Sequence, residues 1–160
     1  MGIRRPWNIV DMPVYSLATY ADGMVNMNIC TYVSAVSMKP KLYMIAIDYN
    51  TKTFQNLDKG CDAVLQVLHQ DHSSLIKGLG KKSGQNINKE AFLEMKNMLD
   101  RWNDQTVLKG ACAYVQLKQA GRKQIEGDHE LFWFEVKKSK TQSESGILMF
   151  QDLIERKIIL

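Results

Sequence analysis

The sequence predicts a mainly β domain, a β-barrel with helical insertions, on three observations. Runs rich in Val, Ile, Tyr, Thr and Met are bounded by turn signals at Ala21-Asp22-Gly23 and Met38-Lys39-Pro40. The helix-like stretches are short and fall between strands without a regular β-α-β alternation, which disfavours a doubly wound sheet. A Gly-x-Gly-x-x-Gly dinucleotide fingerprint is also missing, in agreement with that choice. With 160 residues and 45% apolar content the chain fits one domain over 1–160, a size that buries roughly two-thirds of the unfolded surface without help from metals or disulfides.

Residues 13–49 read as three strands opening a meander. Residues 51–60 have the helical spacing of Phe54 and Leu57 with Gly60 as a stop, and 62–69 (DAVLQVLH) read as the next strand. A short helix is expected over 71–79, opened by Asp71 and closed by Gly80, with a polar loop after it at 81–88 (KKSGQNIN). Phe92, Leu93, Met95 and Leu99 predict an amphipathic helix over 89–102. Strands return at 107–117 and at 130–136, where Leu131, Trp133 and Glu135 alternate with Phe132, Phe134 and Val136. The last stretch, 146–160, suits a strand and then either a short helix or another strand.

The formal charge of +4 is dispersed, with short clusters at Lys81-Lys82, Lys137-Lys138 and Arg156-Lys157. No nucleic acid partner is expected from such a pattern, whereas a bound anion is easily accommodated. Cys30, Cys61 and Cys112 are odd in number and form no C-x-x-C pair, so they read as reduced thiols. Pro6, Trp7 and Asn8 stand where a secretory signal would need an apolar run, and no segment has the length of a membrane span. A cytoplasmic protein with no membrane association is the expectation.

Three stretches could carry chemistry. Residues 26–37 (NMNICTYVSAVS) interleave small polar with apolar side chains, and a buried polar group without a partner costs about 1–3 kcal/mol. Either cross-strand Thr and Ser hydrogen bonds satisfy them, or they form a row of donors and acceptors for a planar heterocycle. Residues 50–53 (NTKT) sit where a strand turns into a helix, and two Thr hydroxyls, a Lys and free N–H groups suit a phosphate as well as they suit ordinary capping. Gly127-Asp128-His129 precedes the aromatic strand, where His129 reads first as a turn residue, with a core role or a place near a redox ligand as the other readings.

Other arrangements are set aside. His69 and His72 have H-x-x-H spacing but no third ligand at a suitable distance in sequence, and His72 falls in what reads as a solvated helix start, so no metal is expected. No Ser-His-Asp or Cys-His arrangement is present, and Cys30 suits apolar packing better than nucleophilic chemistry.

Taken in order, PVYSLATYADG, NMNICTYVSAVSMKP, NTKTFQNL, GKKSGQNINK and GDHELFWFEV resemble the flavin reductase-like family of FMN-binding split barrels, in its flavoredoxin-like branch, across residues 13–150. The resemblance implies a homodimer that binds FMN. Asn26, Asn28, Ile29, Cys30 and Thr31 would line the flavin, with Thr31 near the reactive N5, while Thr51, Lys52 and Thr53 would hold the phosphate. The loop of Lys82, Ser83 and Gly84 would add a cofactor contact, His129 would lie near flavin or nicotinamide, and Phe150 would touch the ring. Departures from the pattern are Lys41 in place of a second Pro, Ile29 and Cys30 where Ala, Thr or Ser is usual, and an unusually apolar tail, ILMFQDLIERKIIL.

The activity implied is an NAD(P)H-dependent flavin reductase passing hydride from NADH or NADPH to FMN. The alternatives are a flavoredoxin-type electron carrier serving a redox protein or monooxygenase partner, and a non-redox binding protein on the same fold.

Overall fold

The computed structural model describes residues 2–159. Seven strands form one antiparallel sheet in the order β2-β1-β5-β8-β9-β4-β3, comprising β1 (Tyr15–Ala21), β2 (Met24–Met27), β3 (Val33–Met38), β4 (Lys41–Asp48), β5 (Ala63–Val67), β8 (Ala113–Gln124) and β9 (His129–Thr141). The hairpin of β6 (Leu99–Trp102) and β7 (Gln105–Leu108) stands apart from it. Three short α-helices, α1 (Lys52–Asp58), α2 (Ile76–Gly80) and α3 (Lys89–Met95), lie in the connections, and α4 (Phe150–Glu155) follows the last strand.

The sheet closes on itself through residues 28–32. The Cys30 N–H donates to the Tyr15 carbonyl at 2.8 Å and the Tyr15 N–H returns a bond to Cys30 at 2.9 Å, while the Ala46 N–H donates to the Tyr32 carbonyl at 3.0 Å. This short segment thus joins β1 to β4. The barrel interior holds Leu17, Ile45, Leu65, Leu117, Phe132 and Phe134. A second core lies on the outer face, where Ala18, Val64, Leu68, Leu79, Leu93 and Leu148 are covered by α2, α3 and the β6–β7 hairpin. Because β1 and β5 are buried on both faces, AVLQV is almost continuously apolar. Removing Phe132, fully buried in the first core, to Ala would cost about 3–5 kcal/mol.

The mainly β expectation is met, with four corrections of detail. Residues 13–49 hold four strands, because the polar run breaks at 28–32 between β2 and β3. The helix expected over 89–102 stops at Met95. Asn97 turns left-handed at φ 54°, and Asn103-Asp104 at φ 49° and 62° form the tight turn that makes a hairpin of the next residues. Trp102, rather than facing a helical groove, stacks on Tyr114 with ring centres 5.6 Å apart. The strand expected over 107–117 is two strands, parted around Gly110 at φ 78°. At the end, Ile147 and Met149 bridge His69 and Pro13 before α4 begins, which is the strand-then-helix alternative.

His72 is the fourth correction, for it is buried, not solvated, at 1% exposure. It accepts the His69 N–H at Nδ1 (3.1 Å) and faces the Lys109 carbonyl at 2.8 Å with Nε2. Since Nδ1 must accept from an N–H and Nε2 must donate to a carbonyl, the ring is the neutral Nε2–H tautomer. Burial lowers its pKa from the ordinary 6.5. Below that value the unfolded chain takes up a proton the folded chain refuses, so this contribution is present above pH ~6.5 and is lost as pH falls through the window beneath it. Thermal unfolding monitored by circular dichroism should show Tm falling below pH ~6.5, with a shallower fall in His72→Gln, whose Tm is lower throughout. An unchanged slope in the variant would remove His72 as the titrating group.

Candidate functional site

Two hollows meet at Thr51, where β4 hands over to α1. The first, of about 160 Å³, lies between residues 28–32 and the ends of β4 and β9. The second, of about 180 Å³, lies between the start of α1 and the loop 81–88. Neither alone reaches the ~300 Å³ of an ordinary small-ligand site, but joined at Thr51 they suit an elongated one.

The first hollow exists because β2 leaves the ladder. At that point the Asn28 side-chain oxygen, at 2.8 Å, accepts the Leu17 N–H that a strand carbonyl would otherwise take. The chain then turns tightly, with the Val33 N–H donating to the Thr31 carbonyl at 2.9 Å. Among the described residues the Thr31 N–H has no hydrogen-bond partner, leaving a donor on the hollow's rim. Ile29 lines the same edge. Burial pushes the Cys30 thiol up to about 12, so it remains protonated and serves as packing. His129 opens β9 opposite Asp48. Its Nδ1 is paired with the Asp128 carboxylate, which it holds below the usual carboxylate range, and among the described residues Nε2 has no hydrogen-bond partner. The Tyr32 ring meets the imidazole edge-on at 5.2 Å.

The second hollow is basic. Lys52, Lys81, Lys82 and Lys89 line it and no Asp or Glu does. The Thr51 hydroxyl is committed, donating to the Asp48 carbonyl at 2.7 Å and accepting the Phe54 N–H at 3.1 Å as a helix cap. Thr53 accepts the Asn26 amide at 3.2 Å and keeps its own proton to donate. Ser83 accepts the Gln85 N–H, and the Gln85 amide reaches back to the Asn50 carbonyl, which ties the loop to the turn. At Gly84 a Cβ would stand 2.1 Å from Asn26 Oδ1 and 3.0 Å from Lys52 Cβ, so only glycine lets the loop lie this close. α1 is two turns long, so attraction for an anion comes from these side chains more than from its dipole.

Of the residues singled out in the sequence, Asn28, Ile29, Cys30, Thr31 and His129 gather at the first hollow, and Asn26, Lys52, Thr53, Lys82, Ser83 and Gly84 at the second, with Thr51 shared. Asn26, expected to line the flavin, therefore stands instead with the lysine-lined hollow, away from the ledge of 28–31. Phe150 lines neither hollow; it opens α4, with its N–H donated to the Met12 carbonyl at 2.8 Å. Tyr32, Asp48 and Lys89 were not legible as site residues. Lys89 carried a faint signal, standing four residues before the buried Leu93 on the apolar face of α3. Among the described residues no group of three His, Cys, Asp or Glu could hold a metal, and no helix is long and apolar enough to cross a membrane.

The family model "Flavin reductase like domain" matches residues 8–154. Among solved structures, the FMN-binding protein from Thermus thermophilus superposes with a TM-score of 0.75 at 18% identity, over 89% of this chain and 77% of that one. Flavoredoxin from Methanosarcina acetivorans does so at 0.75 and 14%, over 89% and 75%. An NADH:FAD oxidoreductase from Streptomyces globisporus, in complex with NAD and FAD fragments, gives 0.76 and 14%, over 90% and 83%. A comparison with curated proteins found no match.

The Asn28 bond carries a stability prediction. Asn28→Ala strands the Leu17 N–H and should cost about 1–3 kcal/mol in urea unfolding, while Asn28→Asp, which keeps the acceptor, should recover most of it. Equal losses in both variants would assign the cost to something other than this hydrogen bond.

Proposed function

The chain belongs to the flavin reductase-like family, and from that membership we propose that it binds FMN non-covalently and works as an NAD(P)H-dependent flavin reductase. The observation that carries the reading is the pairing of the two hollows at Thr51: a ledge with a free N–H and an imidazole on one side, and a lysine-lined pocket without acids on the other. A planar ring with a phosphate tail fits that donor set. A bound flavin supplies hydride acceptance and the release of electrons singly or in pairs.

In this reading the Thr31 N–H and the Asn28 amide offer hydrogen bonds to the ring edge, and Ile29 and Cys30 supply apolar contact. Thr53, Lys52, Lys82 and Ser83 hold the phosphate, and Thr51 fixes the turn between the two sites. His129, braced by Asp128 and Tyr32, orients the nicotinamide of NADH or NADPH. The lack of a nucleophile or acid–base pair is no obstacle, because the protein has only to bind and orient.

The reading includes a homodimer. Edge strand β3 exposes Val36 and Met38, at 47% and 78%, and Tyr32, just before it and in the lining of the first hollow, is 61% exposed. A second copy seated along this edge would cover its apolar surface. A monomer at micromolar concentration in light scattering would count against it.

The central test is anaerobic. The visible spectrum of purified protein with added FMN should show bound flavin, and its band near ~450 nm should bleach rapidly with NADH or NADPH. Tight binding without bleaching would replace the reductase by an electron carrier, and no binding would remove the flavin reading. His129→Ala should weaken nicotinamide binding or slow bleaching by at least ~10-fold, the size expected of a lost orienting group, with FMN still bound.

A further inference from the structure

The two hollows differ in charge. Lysines line the second, whereas the first has one carboxylate in its lining, Asp48, and among the described residues no Lys or Arg. Strand register sets where that carboxylate points. Ile45 and Ile47 of β4 are buried in the barrel interior, so Ala46 and Asp48 face the other way, where both line the hollow. Asp48 also stands directly opposite His129 of β9, and residues paired across an antiparallel ladder share a face.

The charge of Asp48 is uncompensated. Its Oδ1 accepts the Asn50 N–H at 2.7 Å, and among the described residues no Lys, Arg or His nitrogen lies within ion-pair distance of it. His129 is paired with Asp128 instead. Even with its imidazole protonated, His129 balances only one of the two carboxylates, so this end of the groove holds no net positive charge. The Asp128 side chain is 85% exposed and screened by water, whereas Asp48 is half-buried and screened less.

A hydride carries two electrons with one proton, so a ring that accepts it gains one negative charge. Charge placed beside the ring is one of the means by which a protein tunes a flavin. Next to a carboxylate the reduced ring is disfavoured relative to the oxidised one. The lysines of the second hollow do not offset this in the reading above, since they serve a phosphate whose charge is the same in both redox states.

We propose that Asp48 is a potential-setting residue: its uncompensated carboxylate makes the first hollow hold an oxidised flavin more tightly than a reduced one, which lowers the reduction potential of the bound flavin below that of the free one. This rests on the flavin reading above. Affinity and potential are linked, because the ratio of the two dissociation constants fixes the shift in potential, ~30 mV for each tenfold in a two-electron couple. Asp48 thereby favours onward delivery of electrons from the flavin over their retention.

The experiment measures, without oxygen, the dissociation constants of oxidised and of dithionite-reduced FMN for the wild type, Asp48→Asn and Asp48→Glu. The potential of the bound flavin is read independently by equilibration with redox dyes, and Tm is measured alongside. Asp48→Asn keeps an acceptor for the Asn50 N–H and removes the charge. The wild type should bind oxidised FMN at least ~10-fold more tightly than reduced FMN, and Asp48→Asn should lose most of that ratio with oxidised FMN still bound within a few fold of wild type. Asp48→Glu, which keeps the charge, should retain the ratio. A ratio unchanged in Asp48→Asn, whether both forms weaken together or neither does, would make Asp48 a brace of the β4–α1 turn and overturn the proposal. So would a wild type that binds both redox forms alike, or an Asp48→Glu variant that loses the ratio as Asp48→Asn does. Failure of the wild type to bind either form would instead remove the flavin reading itself.

Discussion

The site depends on one exchange of hydrogen-bond partners: where β2 ends, the Asn28 side chain takes over the Leu17 N–H that a backbone carbonyl would hold in a continuous ladder. Because that donor is satisfied, the chain can leave β1 without stranding a buried N–H, cross through Cys30 and Tyr32, and reach β4 to start the β3–β4 hairpin. The barrel is closed by this crossing segment, and the same segment supplies the ledge of the first hollow. A regular strand here would close the barrel more completely and leave no groove.

The second hollow is fixed by polar stitches between α1 and the first hairpin. Asn26 donates to Thr53, and Asn56 donates to Thr19 at 3.0 Å, with all four side chains buried. Buried polar pairs of this kind fix position more sharply than apolar packing, since each has an orientation as well as a distance. The far end of α1 is held by Arg122, which pairs with Asp58 and Glu130 at 2.7 and 2.6 Å and lies over the Phe132 ring at 4.9 Å. Helix, hairpin and loop are thus locked together, and the lysines they carry are brought into one pocket despite their mutual repulsion. Holding like charges together in this way leaves the pocket with an excess of positive charge.

The fold class and most of the strands were legible in the amino-acid pattern, and most of the residues it singled out gather at the two hollows. Alternating or continuous apolar runs leave few other ways to be buried, and the polar interruptions at 26–31, 50–53 and 82–84 are costly unless they serve a ligand or a fold constraint. The pattern also carried the family resemblance, which the match over residues 8–154 bears out. It misled at places where local spacing and tertiary context disagree. Residues 89–102 have helical spacing throughout, yet the Asn97 and Asn103-Asp104 turns and the stack of Trp102 on Tyr114 make the second half a hairpin. His72 reads as a solvated helix start, yet the Lys109 carbonyl across the fold buries it.

Tertiary contacts alone place Asn26 with the lysine-lined hollow, Phe150 outside both hollows, and Lys89 in the lining of one. Each of these depends on a meeting of segments distant in sequence: Asn26 with Thr53, Phe150 with Met12, Lys89 with Leu79 and Lys52. Periodicity reports which face of an element is turned inward. It carries no information on which other segment that face will meet, and the meeting of segments is what brings a buried lysine into the lining of the second hollow.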